Sequence, residues 1–183
     1  MKAHNTAIDG AYLIDLDVFG DKRGFFLESY EKRRYAKHGI DADFVQDNRS
    51  FSLKGVVRGL HYQVKHPIGH LVYVTRGTVF DVGVDLRPNS RTFGKHVAVT
   101  LSGDGNQQLF LPAGVAHGFC TLGDENEILY KCTEHYYPDD EAGVLWNDPD
   151  LEIPWPFSDA LIKERDAAFP RLKDVDPSRL PHV

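Results

Sequence analysis

The sequence contains little cysteine. Only Cys120 and Cys132 occur among its 183 residues, which excludes a disulfide framework and a cysteine-based metal cluster. Such scarcity is typical of a reducing compartment, where thiols stay unpaired. The simplest interpretation is that both residues are small apolar side chains buried in a core.

The sequence also lacks an excess of basic residues and any long apolar run. Its 21 Lys and Arg residues are outnumbered by 27 Asp and Glu residues, giving a formal net charge of −6, which argues against general nucleic-acid binding. No stretch approaches the ~18 apolar residues of a membrane span, and the residues after Met1 lack the apolar run of a signal peptide. We therefore expect a cytoplasmic protein that binds neither nucleic acid nor membrane.

The sequence does contain a series of short strand-like segments with turn signals between them. In the clearest of these, residues 79–86, two faces alternate: Phe80, Val82, Val84 and Leu86 on one, and Asp81, Gly83 and Asp85 on the other. This spacing predicts a single all-β domain over residues 1–183, either a sandwich or a barrel. Two helices are also predicted, over 31–38 and 158–169, with Gly39 and Ser158 as caps.

One strand-like stretch, residues 55–63, carries polar groups that a strand interior rarely holds. Arg58, His61 and Gln63 stand among Val, Leu and Tyr side chains. A sheet that buries such groups must line something polar, so we expect a cavity in which Arg58 holds an anion and His61 moves a proton. Residues three apart in a regular strand face opposite ways. The two side chains therefore share the cavity only if Gly59 marks a bulge, or if Arg58 serves it from the rim.

The nine histidines raise the alternative of a metal site. The segment 112–117, which ends at His117, resembles the second motif of the cupins. A metal-binding cupin would place another histidine two residues after His61, but Gln63, a poor ligand, stands there. The residues alone leave open a metal cupin and a metal-free barrel whose cavity is faced by two histidines.

Other polar residues have ordinary structural explanations when taken singly. Tyr130 lies in a strand-like segment, and a buried tyrosine normally packs and bonds its hydroxyl. Asp166 fits a solvated position on a helix. Solvation is also the usual state of arginine, but it is a weak explanation for Arg58, which is flanked by Val57 and Leu60.

Six motifs stand in order along the chain: GDKRGFFLE (20–28), FVQDN (44–48), VRGLHYQ (57–63), VFDVGVDLR (79–87), PAGVAHGF (112–119) and LWNDP (145–149). In this order they resemble the motifs of the dTDP-4-dehydrorhamnose 3,5-epimerases. The resemblance runs from about Phe19 to Asp166, nearly the whole chain. Six motifs in register are far more specific than a lone histidine in a barrel.

The resemblance implies a cupin-like β jelly roll with short peripheral helices, a core at about 44–150 and a C-terminal helix at about 158–169. It implies a homodimer that exchanges N-terminal strands within residues 8–30. It further implies an isomerase whose substrate is a dTDP-linked 4-keto-6-deoxyhexose. That enzyme inverts C3 and C5 with no cofactor and no metal.

The resemblance also assigns residues to this reaction. His61 matches the base that removes a proton beside the ketone, Asp166 the carboxylate that orients it, and Tyr130 the acid on the opposite face. Arg23 and Arg58 match a clamp on the diphosphate. The other substrate-contacting positions are Gln46, Asn48, Glu28, His117, Glu141 and Arg165, the last where a lysine is more usual.

His70 is the largest departure from the family pattern, which has a lysine there that holds the C4 oxygen as it becomes an enolate. A neutral imidazole still donates one hydrogen bond, and a protonated one also brings charge. One interpretation is a tolerated replacement; the other is altered chemistry, with only C3 or C5 inverted or another sugar bound. A metal-dependent cupin and a non-catalytic sugar-nucleotide-binding protein are the remaining alternatives.

Overall fold

The computed structural model describes all residues from 1 to 183. Its regular structure consists mostly of thirteen strands: β1 (Lys2–Asn5), β2 (Tyr12–Asp15), β3 (Val18–Asp21), β4 (Gly24–Leu27), β5 (Gln46–Leu53), β6 (Val57–Gln63), β7 (His70–Arg76), β8 (Thr78–Asp85), β9 (His96–Ser102), β10 (Gln107–Leu111), β11 (Val115–Thr121), β12 (Glu125–Cys132) and β13 (Glu141–Gly143). Two short α-helices, α1 (Lys32–Ala36) and α2 (Glu164–Ala167), lie at the periphery. The prediction of an all-β fold with short peripheral helices is confirmed.

The strands form two antiparallel sheets and a separate hairpin. One sheet has six strands in the order β1-β2-β10-β7-β12-β5, and the other has five in the order β13-β6-β11-β8-β9. The pairs β8–β9, β7–β10, β6–β11 and β5–β12 are nested in the sequence, and alternate pairs belong to alternate sheets. This nesting is the pattern of a jelly roll, so the predicted cupin-like jelly roll is confirmed.

The largest hydrophobic cluster joins the two sheets. Its twelve buried residues include Val74 of β7 and Leu109 of β10 from one sheet, and Leu101 of β9 and Phe119 of β11 from the other. Each fully buried side chain of this kind stabilises the fold by about 1.5–3 kcal/mol. The cluster therefore holds the two sheets together next to the region between them where polar side chains lie.

Strand β8 shows the predicted alternation. Val82 and Val84 belong to a second cluster, where they lie under the C-terminal tail with Leu172 and Leu180. Asp81, on the other face, is fully buried and bonded to His117. The polar face of this strand is therefore the one turned toward the interior of the sandwich.

Helix α1 agrees with the prediction for residues 31–38. The Glu31 side chain caps it by accepting from the backbone N–H groups of Arg33 and Arg34. Gly39 follows with φ of 84°, in the left-handed region that favours glycine at a helix end. None of the helices has the length and hydrophobicity of a membrane span.

The prediction of a helix over 158–169 is wrong for most of its length, because only Glu164–Ala167 is helical. The preceding residues run beside the start of β6. The backbone N–H of Leu161 donates to the carbonyl of Gly55, and the N–H of Val57 donates to the carbonyl of Leu161. These bonds hold residue 161 in an extended conformation, so Ser158 is not a helix cap.

The N-terminal residues divide into two parts. Strands β1 and β2 belong to the chain's own six-stranded sheet, where β2 pairs with β10. The hairpin β3–β4 pairs with no other strand, and its Phe19, Phe25 and Phe26 are 63%, 64% and 68% exposed. Within residues 8–30, Tyr12–Asp15 therefore pair in their own chain and residues 18–27 form the unpaired hairpin, while the exchange of these strands in a dimer stays a prediction.

Candidate active site

A cavity of about 520 Å³ lies between the two sheets, within the usual size range of small-molecule sites. Strands of both sheets and the segment 161–166 form its walls. Ten of the twelve predicted site residues line it: Gln46, Asn48, Arg58, His61, His70, His117, Tyr130, Glu141, Arg165 and Asp166. Arg23 and Glu28 do not.

Arg58 and His61 reach the same cavity because β6 is irregular between them. His61 pairs with His117 whereas Arg58 pairs with Phe119, so three steps along β6 match two along β11. Gly59 has φ of 118°, and a Cβ there would clash with the backbone of β11. The bulge that the three-residue spacing required is therefore confirmed at Gly59.

The imidazole of His61 is paired with a buried carboxylate. Its Nε2 lies 2.9 Å from Oδ2 of Asp166, which helix α2 places behind β6. The backbone N–H of Gly59 donates to the same oxygen, at 3.4 Å. Because the carboxylate accepts the N–H at Nε2, Nδ1 is left as the basic nitrogen.

Several donors hold Asp166 in its charged form. Burial alone would raise the pKa of its carboxyl, but hydrogen bonds from His61, Arg165 and the Gly59 N–H, with the charge of His61, lower the pKa to about 2. Asp166 is therefore a carboxylate at neutral pH. It can orient His61 and stabilise the imidazolium that forms when His61 takes a proton.

His70 lies on β7 among other aromatic rings. Its ring centroid is 5.1 Å from that of His117 and 5.7 Å from that of Tyr130. Burial, followed by the charges of protonated His117 and His61, lowers the pKa of His70 well below its ordinary value. Of the two charge states that the sequence left open, this environment favours the neutral one, and Nδ1 is buried without a hydrogen-bond partner. The ring lines the cavity, where a neutral imidazole can donate one hydrogen bond to a ligand oxygen.

His117 is fixed by a carboxylate that the sequence did not assign to the site. Its Nε2 lies 3.0 and 3.2 Å from the two carboxylate oxygens of Asp81. Asp81 is fully buried on the polar face of β8. The sequence did contain a signal for this pair, since an aspartate on the buried face of a strand needs a polar partner.

Tyr130, on β12, contributes a phenol to the cavity. Burial raises its pKa, with a smaller contribution from Cys132, while Asn48 and Arg58 act in the opposite direction. The raised pKa keeps the phenol protonated at neutral pH, which a proton donor requires.

Arg58 presents a cation that no carboxylate neutralises. Its guanidinium donates to Oγ of Ser52, from Nε at 3.2 Å and from Nη2 at 3.1 Å, and it takes part in none of the ion pairs. Gln46 and Asn48, on neighbouring β5, are bonded to each other at 3.0 Å. An unpaired guanidinium that lines the same cavity as two amides suits an anion such as phosphate.

Arg23 and Glu28 lie away from the cavity of their own chain. Arg23, at the tip of the β3–β4 hairpin, is bonded to Asp21, and its side chain is 83% exposed. Glu28 accepts a hydrogen bond from Arg34 of α1, at 2.8 Å. Their predicted contact with a ligand stays a prediction.

Besides Asp81, reasoning from the sequence missed three residues that line the cavity or contact a residue that lines it. Ser52 binds Arg58, the hydroxyl of Tyr136 donates to Glu141 at 3.1 Å, and Lys163 lines the wall. Ser52 is one of many polar strand residues. Tyr136 and Lys163 reach the cavity from irregular segments, whose course depends on the finished fold.

No group of three or more His, Cys, Asp or Glu side chains is arranged to hold a metal ion. Gln63, where a metal cupin would have a ligand, instead bonds loop backbone: its Nε2 donates to the carbonyls of His66 and His135, and its Oε1 accepts from the N–H of Tyr137.

Comparison with known proteins points to one family. The dTDP-4-dehydrorhamnose 3,5-epimerase family profile matches residues 5–174. The dTDP-4-dehydrorhamnose 3,5-epimerase of Pseudomonas aeruginosa is 48% identical over 178 residues, which cover 96% of this chain and 98% of that protein.

Solved structures give the same result. The dTDP-6-deoxy-D-glucose-3,5-epimerase of Legionella pneumophila, in complex with dTDP-4-keto-L-rhamnose, superposes with a TM-score of 0.95 at 44% identity, covering 100% of this chain and 98% of that one. A 3'-monoepimerase of Streptomyces bikiniensis, in complex with dTDP-quinovose, superposes with a TM-score of 0.86 at 31% identity, covering 93% and 87%. The likeness therefore extends to epimerases of both one and two centres.

Proposed function

The chain belongs to the dTDP-4-dehydrorhamnose 3,5-epimerase family, and on this premise we propose that it inverts C3 and C5 of a dTDP-linked 4-keto-6-deoxyhexose. It is an isomerase that acts on carbohydrates. The C4 ketone acidifies the hydrogens on both neighbouring carbons. Removal of either hydrogen leaves an enolate, and a proton returned to the opposite face inverts that centre. The observation that carries the proposal is the His61–Asp166 pair, in a cavity that also contains the phenol of Tyr130.

His61 is the base in this proposal. Asp166 occupies Nε2, so Nδ1 takes the proton from the sugar carbon. The imidazolium that results is stabilised by the carboxylate 2.9 Å away, much as a buried aspartate supports a histidine base in other enzymes. The pair therefore favours the charge that appears during the reaction.

His70 is the group that meets the enolate oxygen. Its ring lines the cavity, and burial favours its neutral form. A neutral donor matches the negative charge that develops on the C4 oxygen without competing with His61 for a proton. A single preorganised donor of this kind contributes roughly 100- to 1,000-fold in rate.

Tyr130 is the acid that returns a proton to the other face. The protons balance in a simple way: after one inversion His61 carries an additional proton and Tyr130 lacks one. Both are reset by exchange with water before the next inversion. Solvent hydrogen therefore enters the product at each inverted carbon.

Arg58, Gln46 and Asn48 bind the nucleotide diphosphate from the chain's own cavity. Arg23 and Glu28 contribute from a second copy of the chain. Three phenylalanines of the β3–β4 hairpin are more than 60% exposed, and a hairpin that pairs with no other strand is marginal in water. A homodimer in which each hairpin packs on the other chain covers this surface and brings Arg23 and Glu28 to the partner's cavity.

The test is an incubation of dTDP-4-keto-6-deoxyglucose with the protein in deuterated water, followed by NMR. We expect deuterium at both C3 and C5 and an L-configured product. Exchange at neither carbon, with ligand binding retained, would show a binding protein and overturn the proposal.

A mono-epimerase is the second candidate. It is favoured by His70 in place of the family's lysine and by the structural likeness to a 3'-monoepimerase. In the same NMR experiment, deuterium at one carbon alone would replace the first proposal with this one.

A further inference from the structure

The guanidinium of Arg165 is placed between the two carboxylates that flank His61. Its Nε donates to Oδ1 of Asp166 at 3.1 Å, and its Nη1 donates to Oε2 of Glu141. Its Nη2 lies 3.3 Å from Nε2 of His61. One cation therefore touches both carboxylates and the imidazole.

The two carboxylates approach opposite nitrogens of His61. Asp166 is 2.9 Å from Nε2, and Glu141 is 3.9 Å from Nδ1. Opposite charges at such distances favour the protonated ring. A base that already carries its proton cannot take another. If no cation offset the charges of Asp166 and Glu141, the two carboxylates together would therefore oppose the proton transfer that Asp166 alone supports.

The remaining groups around His61 supply no cation in contact with it. From β7, His70 is neutral near pH 7, and from β12 the phenol of Tyr130 is protonated. Other titratable groups complete the surroundings: His117 on β11, bonded to Asp81; Tyr136, bonded to Glu141; Arg58, bonded to Ser52; and Lys163 on the wall. Arg165 is the one charged donor whose contacts include His61 itself.

Phe169 packs against this arginine, whose side chain is 52% exposed. The guanidinium lies 5.7 Å from the centroid of the Phe169 ring, and the His61 ring meets the same ring edge-on at 5.8 Å. Phe169 occupies space that Gly143, opposite His61 on β13, leaves empty, and a Cβ at Gly143 would overlap the ring. The fold therefore fixes the ring against which Arg165 packs.

We propose that Arg165 is a positioning residue that offsets the negative charge of Glu141 and so keeps His61 unprotonated and ready to act. The proposal rests on His61 being the base. Asp166, Glu141 and Arg165 together carry a net charge of −1. Loss of Arg165 changes it to −2, loss of Glu141 changes it to 0, and loss of both restores −1.

The test is an NMR titration of the His61 imidazole in the ligand-free protein, with His61→Asn used to assign the signal. We expect Arg165→Gln to move the titration midpoint up by about half to one pH unit and Glu141→Gln to move it down, with the double variant near the parent. Arg165→Lys should restore the parent midpoint. The acid limb of kcat/KM should move in the same directions, changing the rate roughly threefold to tenfold at a pH one unit below the parent midpoint.

An unmoved midpoint in Arg165→Gln would overturn the proposal. So would a double variant shifted as far as Arg165→Gln alone, because Glu141 would then be irrelevant. The titration is read without substrate, so it stands apart from the proposed function. If the parent protein fails to exchange deuterium, the proposed epimerase activity is wrong. The charge coupling of Arg165 and Glu141 to His61 would still have been measured.

Discussion

Nε2 of His61 and Oδ2 of Asp166 lie 2.9 Å apart, and the carboxylate is buried while the imidazole opens onto the cavity. This pairing fixes which nitrogen is basic. It also places negative charge where the reaction creates positive charge. The relationship joins residues 105 positions apart, across β6 and α2, and it is the feature on which the proposed chemistry depends most.

Asp166→Asn should lower kcat by roughly 100- to 10,000-fold with little change in KM. The amide keeps the shape of the side chain but supplies no charge for the imidazolium, and it permits the wrong tautomer of His61. Steady-state kinetics on the 4-keto sugar measure this. Glu164→Gln, a neighbouring change on the same short helix, is the control and should leave kcat near the parent. A fall in KM or stability alone, with kcat unchanged, would contradict the role of Asp166.

Replacement of His70 separates its hydrogen bond from its charge. His70→Ala should lower kcat by about 100-fold or more, and His70→Gln should lower it less, because the amide retains a donor. Because burial and then the charges of His117 and His61 lower the pKa of His70 well below its ordinary value, protonation of His70 does not set the acid limb of the pH–rate profile. That limb should therefore persist in His70→Gln. Disappearance of that limb would show that the limb reports protonation of His70 instead.

Mixed dimers test whether Arg23 serves the partner's cavity. A His61→Asn chain and an Arg23→Ala chain, carrying different tags, are purified as a heterodimer. One of its two sites then combines an intact His61 with the partner's intact Arg23, so about half of the parent activity should return. Each homodimer alone should be impaired. No recovery in the heterodimer would place Arg23 in the site of its own chain.

Asp85 should govern part of the acid stability. Burial acts to raise its pKa, but hydrogen bonds from Arg87, Ser90 and Thr92 lower it to about 2. A pKa below the unfolded value of about 4 means that Asp85 stabilises the fold above pH 4, by about 2 kcal/mol, and that this is lost as the pH falls toward 2.

Denaturant unfolding of Asp85→Asn against the parent measures this contribution. The difference in unfolding free energy should be largest near pH 7 and should shrink between pH 4 and pH 2. Asp159→Asn, on the exposed surface, is the control. A difference that is constant with pH would show that the carboxylate's charge is not responsible.

Much of the site was predictable from the sequence because its residues stand in strands. Strand periodicity placed the interior-facing residues of β8, and the three-residue spacing of Arg58 and His61 required the bulge found at Gly59. The resemblance to a family then named ten residues that line one cavity. Local pattern and motif were sufficient wherever hydrogen bonding in a sheet fixes the direction of each side chain.

The sequence was insufficient where the tail returns to the sheets. Residues 158–163 have a helix-like composition. Leu161 nevertheless forms backbone hydrogen bonds with Gly55 and Val57 at the start of β6, and this tertiary pairing overrides the local preference for a helix. The contact of Phe169 with Gly143 is likewise invisible in the sequence, because it joins segments that only the finished fold brings together. The sequence showed that the hairpin's phenylalanines lie in an extended run. It could not show what they pack against, because the hairpin pairs with no other strand of the chain.

Deuterium exchange in His61→Asn tests the central claim most directly. The variant and the parent are incubated with dTDP-4-keto-6-deoxyglucose in deuterated water, and NMR follows C3 and C5. Tyr130→Phe is the matched control: it should still exchange through His61 but invert slowly, because the acid on the opposite face is missing. We predict that His61→Asn incorporates no deuterium at either carbon above the rate without protein. Exchange at the parent rate would show that His61 is not the base.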